Sequence, residues 1–146
     1  MKRVIGLFSA FILLLSFEAH SRDTTHFLPI DSALQSADFK KHLDPNIALY
    51  FADQSHPKVA KKISDAVTNK KTNAFGKSDE TACQWVFLSA LKQLQAKARE
   101  VGGNAVINIE SYYKRNVYSS NQNYECHAGA IMAGVALRGK VVTVKK

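Results

Sequence analysis

The sequence predicts an α/β (α+β) domain in which one long helix lies on a small, mainly antiparallel sheet held by one disulfide. Three stretches carry that expectation. Between Ser78 and Gly102, the apolar residues Cys83, Phe87, Ala90, Leu91, Leu94, Ala98 and Val101 recur at spacings of three and four, drawing a single buried helical stripe. After Gly102-Gly103 the period becomes two, with Ala105, Ile107 and Ile109 alternating against Val106, Asn108 and Glu110 as on a strand. The run YECHAGAIMAGVAL then reads as a second, long strand over residues 124–137. Cys126, Ala128, Ala130, Met132, Gly134 and Ala136 share one parity; His127, Gly129, Ile131, Ala133, Val135 and Leu137 share the other.

Taken in chain order, Lys2 and Arg3 precede an apolar run from Val4 to Phe17, and Ala19-His20-Ser21 places small residues where a leader is cut. The run of about 14 residues is shorter than the ~20 a membrane span needs. Residues 1–21 are therefore expected to be a signal peptide, the protein to be periplasmic or secreted, and the mature form to have no transmembrane helix. No cysteine adjoins the cut to carry a lipid anchor. Residues 22–45 read as an N-terminal segment with a short helix at 32–42 behind Asp31 as N-cap, and residues 46–146 as the main domain. Asp44-Pro45-Asn46 makes a turn and IALYFAD a strand at 47–53; in KVAKKISDAVTNKK, Val59, Ile63 and Val67 fit either a helical or a strand period, and the strand is preferred because a helix there would lack caps. TNAFGKSD is a loop that leads to Ser78, an N-cap with Asp79 and Glu80 in the first turn of the main helix. Gly102-Gly103 supplies its left-handed stop. KRNVYSSNQN is a polar turn region before the last strand.

The small-residue row of that strand suits a helix lying close across it. The opposite row, with Ile131, Val135 and Leu137, is also apolar, the pattern of a sheet covered on both sides. The expected cover is the 32–42 helix or another subunit of a homo-oligomer.

Cys83 and Cys126 are the chain's two cysteines. In an exported domain two cysteines default to one disulfide, and closing a loop of about 44 residues would stabilise the fold by roughly 4 kcal/mol. Two other chemistries compete for Cys126. A nucleophile needs a free sulfur of lowered pKa, and a metal site needs three or four converging ligands. His127, the candidate metal ligand, has the opposite strand parity to Cys126, and His26, His42 and His56 stand apart in the sequence.

The cysteine contexts ETACQW and YECHAGAIMAGVAL, with AREVGGNAVINI between them, resemble the globular domain of the outer-membrane stress-sensor lipoprotein of the Rcs phosphorelay. NKKTNAFGKSD, GGNAV and SYYK are similar to a group of small exported bacterial proteins that often carry the name "excinuclease ATPase subunit". The resemblance spans about residues 46–142. It implies an RcsF-like α/β domain with the main helix on a sheet and a disulfide that corresponds to Cys83–Cys126. The lipid anchor, long flexible segment and second disulfide of the Rcs sensor have no counterpart here, so sensing by a threaded N-terminus does not transfer. The inherited ATPase name fails as well. No GxxxxGK[ST] loop is present to wrap phosphates, and VGGNAV lacks the lysine and the spacing.

The chain carries a net charge of +8, and loss of Lys2, Arg3 and Glu18 with the leader leaves +7. Its lysines come as scattered pairs rather than as one stripe, and export argues against a specific nucleic-acid partner. Neither Glu110-Ser111-Tyr112-Tyr113 nor Lys70-Lys71-Thr72-Asn73 gives a nucleophile and base at a recognised spacing. The expectation is a non-catalytic exported binding or envelope-stress accessory domain, without cofactor, acting through a protein or envelope partner. Tyr112, Tyr113, Lys114, Arg115, Lys70 and Lys71 form the candidate recognition surface, since Tyr and Arg are enriched in binding hot spots. The rival is a small metal-binding or hydrolytic periplasmic protein.

Overall fold

A computed structural model describes residues 22–146, and the expected signal peptide lies outside them. The elements are β1 (Thr24–Pro29), α1 (Ile30–Gln35), α2 (Ala37–His42), β2 (Ala48–Phe51), β3 (Val59–Asn73), α3 (Asp79–Glu100), β4 (Ala105–Tyr113), β5 (Asn116–Tyr118), β6 (Asn123–Ala128) and β7 (Met132–Val144). All seven strands belong to one sheet, so the sheet is larger than the small one expected. β7 is its axis. β3 follows one edge of β7 from Asn73↔Met132 to Val59↔Val144, while β6 and then β4 take the other edge. β1 extends the sheet beyond β6, β5 closes a hairpin with β4, and β2 runs parallel to β4. The remaining pairs are antiparallel, as the sequence predicts.

α3 has the expected caps. Ser78 is extended, its Oγ accepts from the Thr81 N–H at 3.1 Å, and Asp79 and Glu80 place negative charge on the first turn, where the macrodipole favours it. Gly102 takes φ +80 at the C-terminal end, and Gly103 lets the chain cross close to β7, because a Cβ there would lie 2.5 Å from Val141 Cγ1. Cys83, Phe87, Ala90, Leu91, Leu94 and Ala98 are buried on one face of the helix. Val101 leaves the stripe: it is the C-cap, beyond the last full turn, and stays exposed.

Further expectations need correction. YECHAGAIMAGVAL is two strands, because Gly129 donates to the Met132 carbonyl at 2.8 Å and folds a tight turn over Ala130 and Ile131. Pairing of Ala128 with Ala133 then reverses the parity. Cys126, Ala128, Ala133, Val135 and Leu137 join the core under α3, so Val135 and Leu137 are not on the outer face. In β4 the alternation breaks at Asn108, whose φ of +52 makes a bulge where the ladder jumps from Ile107 to Glu110. Ile109 thereby joins Val106 in the main core, while Ala105 and Ile107 meet Val142 and Val144 on the outer face. The single helix expected at 32–42 is instead two short ones, α1 and α2, broken at extended Ser36, whose hydroxyl donates to the Ala33 carbonyl. Asp31 lies in the first turn of α1, and the N-cap position is Pro29.

Nor does this helical pair cover the outer face. Phe39 of α2 meets Phe87 of α3 with ring centroids 5.8 Å apart, so the pair extends the core on the α3 side. On the outer face, Ala48, Tyr50 and Val59 pack against the small cluster of Ala105, Ile107, Val142 and Val144.

A candidate binding site at the β6–β7 turn

Cys83 and Cys126 form the disulfide, with both residues fully buried and Cα atoms 5.8 Å apart. Neither sulfur is left as nucleophile or ligand. Among the described residues, no three His, Cys, Asp or Glu side chains converge closely enough to hold a metal ion.

The neighbouring parity places His127 on the outer face, opposite Gly134. Beside Gly134, the Tyr113 ring stacks on the His127 imidazole at 3.5 Å and 10°. Acceptors flank the imidazole: Glu125 Oε2 lies 3.1 Å from Nε2, and Asp23 Oδ1 lies 3.4 Å from Nδ1. Glu125 is itself held through its backbone N–H, which donates to the buried Ser111 hydroxyl at 3.1 Å. Beside this stack opens a cavity of about 580 Å³, walled by Arg22, Lys71, Tyr113, His127, Ile131 and Met132. Its apolar wall and few oriented polar groups make it the candidate for a ligand or partner site.

Ile131 and Met132 of the cavity wall are exposed, and a turn joined to theirs adds Phe75. The Asn73 side chain accepts from the Phe75 N–H at 2.8 Å, Lys77 N–H closes on the Ala74 carbonyl at 3.1 Å, and Gly76 adopts φ +72. This fixed turn holds Phe75 outward, 75 % exposed. Ala74 N–H donates to the Ile131 carbonyl at 2.7 Å, joining the turn to the β6–β7 turn, where Ile131 and Met132 are 66 % and 50 % exposed.

The residues expected to form one recognition surface are divided by the sheet. Lys71 and Tyr113 line this cavity. Tyr112 lies beneath the Arg138 guanidinium at 4.6 Å, and Arg138 Nε donates to Glu110 at 2.7 Å, in a separate depression. Lys114 and Arg115 make the β4–β5 turn with φ of +49 and +63, and Lys114 Nζ stands 5.5 Å from the Tyr113 ring. Lys70 is on the α3 side, because adjacent strand residues face opposite ways. Sequence reasoning missed Arg22, Asp23, Glu125 and Phe75. The signal for Phe75 was present in NAFG, an aromatic inside a turn otherwise built for solvent.

Chemically the arrangement offers one imidazole between two carboxylates. Thr25 Oγ1 stands 3.4 Å from Nδ1, the same nitrogen that faces Asp23, so the ring has no hydroxyl dedicated to it. Compared with protein-family models, curated proteins and solved structures, the chain finds no match.

Proposed function

We propose that this protein is a non-catalytic, exported accessory domain of the RcsF-like kind that binds a protein partner in the cell envelope through the β6–β7 end of its sheet. The observation that carries the reading is the joined pair of turns presenting Phe75, Ile131 and Met132 beside the Tyr113–His127 cavity. Large apolar side chains held outward by a fixed turn lose little conformational freedom on docking, and an aromatic anchor next to a pocket is the usual composition of a binding hot spot. The buried disulfide supports an oxidising compartment. No described helix is long and apolar enough to cross a membrane.

The test is in-cell crosslinking from a photoreactive residue at position 75, followed by competition with the Phe75→Ser/Ile131→Ser variant. The reading predicts a discrete crosslinked protein that the variant loses while it keeps its disulfide and cooperative unfolding. An unchanged crosslink pattern in the variant would remove this end of the molecule as the docking site.

A further inference from the structure

On the α3 side of the sheet, a second cavity of about 370 Å³ opens between α2, β3 and α3. Its cationic groups come from two elements: Lys70 projects from β3, and Lys92 and Arg99 lie two turns apart on α3, while His42 at the end of α2 bounds the cavity. Of the residues that bound it, Asp44 is the one acid. Asp44 is already satisfied, since one oxygen accepts from Arg99 at 2.8 Å and the other from the Asn46 N–H at 2.8 Å. Among the described residues Lys70 and Lys92 have no carboxylate partner.

The wall is rigidly built. Gln95 is buried, its amide nitrogen donating to the carbonyls of Asp44 and Ile47 and its oxygen accepting from the Asp44 N–H. That side chain fastens the α2–β2 loop to α3 and so sets where Asp44 and Arg99 stand. His42 donates from Nδ1 to the Asp38 carbonyl at 2.8 Å, which fixes the ring at the edge of the cavity. Lys70 has the same inward parity as buried Ala66 and Thr68, a position where a strand facing a core carries an apolar or small residue.

We propose that this cavity is a binding site for a phosphate group. Cations that line one cavity from two elements, Lys70 of β3 and Lys92 and Arg99 of α3, match a tetrahedral oxyanion, whose oxygens accept from several directions at once, with arginine as a planar donor and lysine as a point charge. The group is supplied either by a phosphorylated solute or by the phosphodiester of an anionic lipid headgroup, and both present the same oxygens.

Titration of the isotopically labelled protein with inorganic phosphate at fixed ionic strength, followed by amide NMR, tests the assignment. Saturable shifts confined to α2, the Lys70 region of β3 and the Ser89–Arg99 face of α3 are expected. The Lys70→Ala/Lys92→Ala variant should weaken binding roughly tenfold, the loss that follows removal of charge-assisted hydrogen bonds. Lys61→Ala, remote from the cavity, should leave it unchanged. In parallel, vesicles of phosphatidylglycerol and of phosphatidylcholine separate the two sources. Saturation by inorganic phosphate alone assigns a soluble ligand, and retention on phosphatidylglycerol that the double variant loses assigns a headgroup. Shifts that spread over all lysines without saturating, or binding indifferent to Lys70→Ala/Lys92→Ala in a variant with native amide dispersion, would reduce the cavity to solvated lysines and overturn the proposal.

Discussion

Asp79 joins three parts of the molecule through one carboxylate. It is the first residue of α3, it receives two hydrogen bonds from Arg22 at 2.8 and 2.9 Å, and His26 of β1 lies 2.8 Å away. The Arg22 hydrogen bonds, and then that of His26, hold this carboxyl well below the usual carboxylate range. A carboxyl with a depressed folded value binds fewer protons in the native state than in the unfolded chain. Its stabilising contribution is therefore complete above the unfolded value near about pH 4 and is lost as pH falls toward the folded one. Urea midpoints measured across that acid range should fall for the native protein, and Asp79→Asn should be less stable at neutral pH with a shallower acid limb. An acid limb of unchanged slope in the variant would locate the proton uptake elsewhere. Ser78 and the acids after it were legible as a helix start. Arg22 as their partner was not, since 57 positions separate it from Asp79 and no local pattern links them.

At the scale of elements, α3 is held by an aromatic group as much as by its aliphatic stripe. Phe87 stacks on Tyr124 of β6 at 3.8 Å and 7°, with Phe39 and Phe51 at 5.8 and 6.1 Å. Burial at this contact pushes the Tyr124 phenol upward, out of its ordinary range. Phe87→Ala should cost about 3–5 kcal/mol in denaturant unfolding, as expected for an aromatic deleted from a packed core. A cost below about 1 kcal/mol would mean that α3 repacks without it. β3 shows how an element manages an open edge. Among the described residues it pairs only with β7, and its lysines, the register shifts near Val59 and Lys62, and the Lys97 ammonium donating to the Val67 carbonyl at 2.8 Å all discourage a further strand.

For the whole molecule, the disulfide ties the beginning of the helix layer to the middle of β6, where Cys126 also faces His26 of β1. The bridge spans 43 positions, and removing it restores that loop entropy to the unfolded chain. Cys83→Ala/Cys126→Ala should lower unfolding free energy by roughly 4 kcal/mol. An unaltered denaturant midpoint would show that the unfolded state is already constrained. Against a total stability of about 5–15 kcal/mol for a domain of this kind, such a loss leaves a folded but fragile protein.

The sequence by itself determined the α3 helix with its caps, the strands that became β2 and β4, and a cysteine pair suited to a bridge, because caps, periods and turns are local properties; for β3 the apolar spacing fitted a helix or a strand, and pairing along β7 decided it. Only the tertiary structure decided which face each strand residue occupies. A two-residue turn at Ala130-Ile131 and a bulge at Asn108 each shift the parity by one, and a period-two pattern has no memory of its starting side. Tertiary pairing likewise brought Tyr113 onto His127 and joined the turn that carries Phe75 to the one that carries Ile131. β1 escaped notice because its partner, β6, lies about a hundred residues further along the chain, and strand pairing at that distance is a long-range energy that the sequence of one strand does not carry.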